Sequence, residues 1–207
     1  MPSVICVIGA YLIGSVSFAL LSSWIFRLPD PRTYGSGNPG AANVLRSGKR
    51  SAALFTLLGD AAKGAAAVLL ARLLAPTLGF GTITVALCAV AVVLGHLYPV
   101  FFRFKGGKGV ATSFGALLAL SPWAALVAVA VFLLVVTVFR YVSLASMLAA
   151  VAAALVGPLV LGWGAESGAV LAIAALVIWR HRANIQRLQH GTESRLNLRR
   201  RDAPRAG

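Results

Sequence analysis

Acidic residues are the scarcest chemistry in this chain: five in 207, namely Asp30, Asp60, Glu166, Glu193 and Asp202. They do not gather as Mg²⁺ ligands do, so neither a metal nor any other cofactor is expected. Cysteine is as sparse. Cys6 and Cys88 both lie in apolar stretches, too few for a disulfide framework or a metal site, and read as buried small hydrophobes. Charged residues make up 12% of the chain against 59% hydrophobic. That is too little polar surface to cover a soluble core, so lipid must face much of the molecule. No repeat of 20–50 residues and no low-complexity linker is present, which leaves one domain over residues 1–196 and a basic tail over 197–207.

What is abundant is the apolar run and the cation. Long apolar stretches cover Val4–Phe26, Ser51–Ala75, Ile83–Phe102, Pro122–Phe139, Ser143–Gly162 and Glu166–Trp179, all but the shorter last one near the roughly 20 residues a bilayer core requires. Val110–Leu120 is helical in composition but only half a bilayer long, about 16 Å at 1.5 Å per residue. Half-helices in membranes are tolerated where their ends line a cavity or pack on protein, so this piece points to a site. Nineteen Lys and Arg give a net charge of +14. Most of them fall in Arg27–Arg50, Arg103–Lys108, at Arg140 and from Arg180 onward, whereas Pro76–Gly81 and Leu161–Ser167 have none. The positive-inside rule then predicts an all-α integral membrane protein with seven segments, the N-terminus outside and the C-terminus in the cytosol. No cation precedes Val4, so the first segment reads as an uncleaved anchor rather than a signal peptide.

Four polar clusters lie on the face assigned to the cytosol. In the first, Tyr34 to Arg46, the glycines Gly35, Gly37 and Gly40 stand with Ser36, Asn38 and Asn43 ahead of a short helical stretch. Such a loop can offer backbone N–H groups to a phosphate, with Arg46 adding a bidentate cation, although a bland interfacial turn uses the same residues. The second joins His96 and Pro99 to Lys105-Gly106-Gly107-Lys108-Gly109 at the start of the half-helix. It is no Walker A loop, since Gly109 follows the last Lys and Phe102 stands six residues before it. A snorkelling loop explains its lysines but not three glycines among them. The third, Arg140-Tyr141-Val142-Ser143, opens a helix with Ser143 as its simplest N-cap. In the fourth, His181, Asn184 and Arg187 recur at three-residue steps and would share one helical face. Inside a membrane segment, Asp60 and Lys63 read as an ion pair that fixes packing near the site.

These clusters, with Gly14-Ser15-Val16-Ser17-Phe18, Asp60-Ala61-Ala62-Lys63-Gly64, Lys105 to Thr112, Arg140 to Ser146 and His181 to Glu193, resemble in order the bacterial acyl-phosphate:glycerol-3-phosphate 1-O-acyltransferase family. The resemblance spans about Gly14 to Glu193. It implies a multi-pass inner-membrane enzyme that moves a fatty acyl group from acyl phosphate to the 1-hydroxyl of sn-glycerol 3-phosphate, giving lysophosphatidate and phosphate. It also implies the bilayer as environment, a partner enzyme that produces acyl phosphate, and no nucleic acid. Carried over by motif, Ser36, His181 and Asn184 are the catalytic candidates. Gly35, Gly37, Asn38, Gly40, Asn43, Arg46, His96, Lys105, Gly106, Gly107, Lys108, Ser143 and Arg187 are the substrate-binding ones. Ser17, Pro39 and Ala42 depart from the family pattern, and Ala42 removes a hydroxyl.

The residues agree with that chemistry. Both substrates carry phosphate and the donor is a mixed anhydride with a good leaving group, so positioning and oxyanion stabilisation are the main demands. The His with Asp five residues on, used by soluble and peripheral acyltransferases, is absent: Phe101, Gln186 and Arg195 stand five after the three histidines. The general base stays open between His181 and a substrate phosphate. The alternative class is a transporter or channel for a phosphorylated anion, which broken segments would also suit. The arginines beyond the last motif suit lipid headgroups, so removal of residues after about Leu196 is expected to spare catalysis.

Overall fold

Helix boundaries follow glycine, proline and serine closely. In the computed structural model, which describes residues 1–196, the helices are α1 Pro2–Ser15, α2 Phe18–Ile25, α3 Ala41–Val44, α4 Arg50–Leu78, α5 Thr82–Leu97, α6 Val110–Leu120, α7 Pro122–Phe139, α8 Val142–Leu161, α9 Ala165–Arg180 and α10 Arg182–Gln189. α4 stops at Gly79 in the left-handed region, and α5 stops two residues before Pro99, where the missing N–H ends the ladder. Among the described residues five helical spans, counting α1 with α2 and α5 with the turn that follows it to Phe102, are long and apolar enough to cross a membrane. α6 and α9, at 11 and 16 residues, fall short of that length.

Two sequence expectations change here. The run Val4–Phe26 is broken: Val16 is extended, and Ser17 caps α2 by accepting from the Leu20 N–H at 3.4 Å. Hydropathy cannot register the break because every residue around it is apolar or small. The run to Phe102 likewise ends its α-helix at Leu97, and Val100–Phe102 forms a separate 3-10 turn. The half-helix falls where expected, Val110–Leu120. The tail 197–207 lies outside the described residues.

The bundle closes through small residues. α1 packs on α5, α4 on α6, α7 on α8 and α8 on α9. At the first two crossings a Cβ on Gly14, Gly95, Gly64 or Gly115 would collide with a backbone carbonyl of the facing helix. Glycine there lets the backbones touch, the usual solution where lipid gives helices no hydrophobic reason to associate. Large side chains point outward instead: Leu73, Leu134, Leu159 and Trp163 are exposed, as a lipid-facing surface requires.

Arg72, which the hydropathy of α4 conceals, satisfies the far end of the half-helix. Its guanidinium donates to the carbonyls of Ala119 at 2.5 Å and Leu120 at 3.1 Å, and pairs with Glu166 at 2.8 Å. These are carbonyls that a helix ending inside a bundle leaves unpaired. Arg72→Leu should therefore destabilise the protein by about 1–3 kcal/mol, read as a lower melting temperature in detergent, with turnover at low temperature retained.

Candidate active site

The first glycine loop is shaped by one buried amide. Asn43, 2% exposed, accepts from the Ser36 backbone N–H at 2.9 Å and donates to the carbonyls of Pro31 at 2.7 Å and Tyr34 at 3.1 Å. Gly35 and Gly37 sit at φ +60° and +66°, a conformation in which side chains are strained. A Cβ on Gly35 would also strike Asn43 and the Arg46 side chain. The loop therefore folds around Asn43 and leaves Ser36 exposed at its tip. Gly40 begins α3, and Asn38 is half-buried beside it.

The diglycine loop is gripped from both sides. Below, the Gly107 N–H donates to the His96 carbonyl at 3.2 Å, and a Cβ on either glycine would collide with the end of α5. Above, Arg180 donates to the Gly106 carbonyl at 3.2 Å and the Gly107 carbonyl at 3.0 Å, while lying over the Tyr98 ring. The chain turns through Gly109 at φ +81° into α6. The two lysines part company. Lys108 points to Asn184 Oδ1 at 2.6 Å. Lys105 lines a cleft of about 640 Å³ with Arg32, Gly37, Phe101 and Arg103, which abuts the first glycine loop.

The remaining clusters meet on Glu193, a residue the sequence reading left without a role. Its carboxylate accepts from Ser143 Oγ at 2.7 Å, Asn184 Nδ2 at 2.6 Å and Arg187 Nε at 2.7 Å. Ser143 is accordingly not the N-cap of α8: the cap position is Tyr141, and the Ser143 hydroxyl is spent on Glu193. Arg46 reaches the same strand of chain through Ser194 Oγ at 2.5 Å. A single carboxylate inside so cationic an end was the available signal. His181 does not continue one helical face with Asn184 and Arg187. It is the corner between α9 and α10, 2% exposed, with Nδ1 at 2.7 Å from the Val177 carbonyl. Asn43 and His96 are supports behind their loops, with their polar atoms turned to the protein.

Electrostatics follow from this packing. Burial, helped by Arg187, Arg180 and Arg46, lowers Lys108 to about 8 against the opposing pull of Glu193. Burial lowers His181 to about 4, and Lys108 and Arg180 push the same way. A carbonyl can only accept, so the neutral ring carries its proton on Nδ1 and leaves Nε2 as an acceptor. Burial raises Glu193, but its bonds from Ser143, Arg187 and Asn184 outweigh that and hold it below the ordinary 4.5. Its stabilising contribution is thus complete above about pH 4.5 and is lost as pH falls through the lowered value. Glu193→Gln should cost about 1–3 kcal/mol of stability at pH 7 and flatten this acid-side dependence, measurable as melting temperature against pH. Among the described residues no three His, Cys, Asp or Glu stand close enough to hold a metal ion.

The cleft at Lys105, with Arg32 and Arg103 in its lining, and the separate cluster of Lys108, Asn184, Arg187 and Glu193 each gather cations in a way suited to phosphate. Comparison with known proteins identifies the family. The family model described as glycerol-3-phosphate acyltransferase matches residues 4–191. A glycerol-3-phosphate acyltransferase of Nitrosospira multiformis is 52% identical over 199 residues, covering 96% of this chain and 98% of the relative. That of Ralstonia nicotianae is 55% identical over 196 residues, covering 95% of each. The crystal structure of PlsY (YgiH), an integral membrane glycerol 3-phosphate acyltransferase, in its glycerol 3-phosphate form superimposes with a TM-score of 0.87 at 39% identity, covering 95% of this chain and 96% of that one. Its lysophosphatidic acid form gives 0.85 at 38%. With its apolar spans and this site, the chain belongs to the glycerol-3-phosphate acyltransferase family and is an integral membrane acyltransferase.

Proposed function

We propose that this acyltransferase moves a fatty acyl group from acyl phosphate to the 1-hydroxyl of sn-glycerol 3-phosphate, releasing lysophosphatidate and inorganic phosphate as the first acylation of phospholipid synthesis. The observation that carries the reading is the meeting of four sequence-distant polar clusters around Lys108, Asn184 and Glu193, beside a second cationic cleft at Lys105. Two phosphate seats are what this pair of substrates demands. The glycerol phosphate belongs with Lys108, Ser143, Asn184 and Arg187. The phosphate of the donor belongs with the Ser36 loop, Arg46 and the Lys105 cleft, and its acyl chain extends into the bilayer.

In this scheme the C1 hydroxyl oxygen attacks the acyl carbonyl carbon, the new ester C–O bond forms, and the bond to the phosphate oxygen breaks. Ser36 and the adjacent backbone N–H groups face the developing oxyanion. Asn184 and the free Nε2 of His181 orient the attacking hydroxyl. A neutral imidazole with a pKa of about 4 is a good hydrogen-bond acceptor but a poor proton store at pH 7. The proton therefore ends on the leaving phosphate, which departs from the dianionic acyl phosphate with a newly freed anionic oxygen and takes the hydroxyl proton there to become hydrogen phosphate. The enzyme is read as one polytopic domain over residues 1–196 in the inner membrane, with α6 and α9 completing seven segments, the N-terminus outside, the site facing the cytosol and residues 197–207 as a basic cytosolic tail. An acyl-phosphate-producing enzyme is its functional partner.

The decisive assay presents the purified protein with glycerol 3-phosphate and either acyl phosphate or acyl-CoA. Product is expected from acyl phosphate; turnover with acyl-CoA alone would overturn the donor assignment. Uptake of labelled glycerol 3-phosphate into proteoliposomes without ester formation would instead favour an anion transporter.

A further inference from the structure

Three titratable side chains to which no phosphate contact is assigned are buried together under the site. Asp60, Lys63 and His96 have side chains 3%, 3% and 7% exposed. Lys63 Nζ lies 2.8 Å from Asp60 Oδ1, and His96 Nδ1 lies 3.5 Å from the same oxygen. An ion pair is an expensive way to pack helices, because desolvation offsets most of its attraction. What distinguishes this one is where its remaining valences go. Lys63 Nζ donates to the carbonyl of Val16 at 2.5 Å, the residue at which the first span breaks. His96 Nδ1 lies 3.1 Å from Thr112 Oγ1, in the first turn of the half-helix. The backbone carbonyl of His96 accepts the Gly107 N–H, and its Nε2 sits where a Gly107 Cβ would be. Four neighbouring interruptions of regular helix are thus tied to one buried cluster: the α1/α2 break, the end of α5, the diglycine loop and the start of α6.

We propose that Asp60, Lys63 and His96 are positioning residues of the acyl transfer: Asp60 orients the His96 ring, and the His96 end of α5 is the floor that sets the height of the Gly106–Lys108 loop against the glycerol phosphate. Lys63 neutralises the carboxylate and anchors the cluster to the broken first span. Arg180 closes the loop from the opposite side, so the loop is held between a fixed floor and a fixed clamp. The proposal rests on the reading of this loop as the glycerol phosphate seat.

The test uses the full-length enzyme in detergent or bilayer. His96→Leu removes the floor's polar contacts at similar bulk. It should raise the KM for glycerol 3-phosphate at least about tenfold, the scale of a displaced binding group, with kcat and the KM for acyl phosphate nearly unchanged. Amide exchange over residues 103–110 should quicken while the other helices and the melting temperature hold. His96→Gln, which restores a polar partner for Thr112, should recover most of the affinity. Asp60→Asn/Lys63→Met, which removes both charges at once and so leaves none orphaned, should reproduce the His96→Leu pattern and serves where His96→Leu does not fold. Wild-type KM in folded His96→Leu or in the double variant would overturn the proposal. So would a general rise in exchange with a falling melting temperature that His96→Gln does not correct. Lys108→Met separates the two readings: if it leaves the KM for glycerol 3-phosphate unchanged, the loop is not the seat, whereas a raised KM there beside a normal one in the cluster variants rejects the floor alone.

Discussion

His181→Ala should slow turnover of the folded protein by at least about a hundredfold, the usual scale for a positioned acid–base or hydrogen-bonding group, while the melting temperature falls through loss of the buried ring and its bond to the Val177 carbonyl. The ring is 2% exposed and pinned by Nδ1 to the Val177 carbonyl, so the substrate meets only Nε2. Its pKa of about 4 keeps that nitrogen unprotonated through the working range. The wild-type rate should accordingly show no imidazole limb near pH 6.5. The alkaline side belongs to Lys108, at about 8 in the free enzyme. Below that value it is an ammonium, the charge that the proposed glycerol phosphate seat requires. Above it the charge is lost, and the KM for glycerol 3-phosphate should climb as pH passes 8. A bound phosphate dianion raises the lysine pKa, so kcat should hold to higher pH than kcat/KM. Near-wild-type turnover in purified His181→Ala, or an acid limb near 6.5 that this substitution abolishes, would defeat the assignment.

The sequence exposed the spans and the half-helix because both are written in hydropathy and glycine, which act locally. Val110–Leu120 and Pro122–Phe139 coincide with the helices observed because Gly109 opens the first, the Ser121-Pro122 pair divides the two, and the apolar run of the second ends at Arg140. The break at Val16 was illegible, since it depends on Lys63 arriving from another helix to hold the freed carbonyl. The four polar clusters were visible as residue types, and their convergence is a tertiary fact. Lys105 and Lys108 read as one pair on paper, three residues apart, yet the turn between them sends one to the Arg32 cleft and the other to Asn184. Ser143 looked like a cap because Ser commonly caps helices. Only the return of the chain after α10 gives its hydroxyl a stronger acceptor, Glu193.

The contrast between Ser36 and Asn43 tests whether the first glycine loop is chemistry or scaffold. Ser36 contributes to the fold through its backbone N–H, held by Asn43 Oδ1 at 2.9 Å, while its side chain is exposed at the loop tip. Ser36→Ala therefore deletes a hydroxyl without deleting a fold contact. It should lower kcat at least about a hundredfold, as the loss of one oxyanion donor does, with an unchanged melting temperature. Asn43→Ala removes the amide that satisfies Pro31, Tyr34 and Ser36 together, leaving buried polar groups unpaired at about 1–3 kcal/mol each. Activity and stability should fall together in that variant, and because Arg46 packs against the same loop the KM for acyl phosphate should rise as well. If Ser36→Ala loses stability in step with activity, the hydroxyl is structural. If it keeps near-wild-type turnover, the oxyanion must be held by the loop's backbone N–H groups alone.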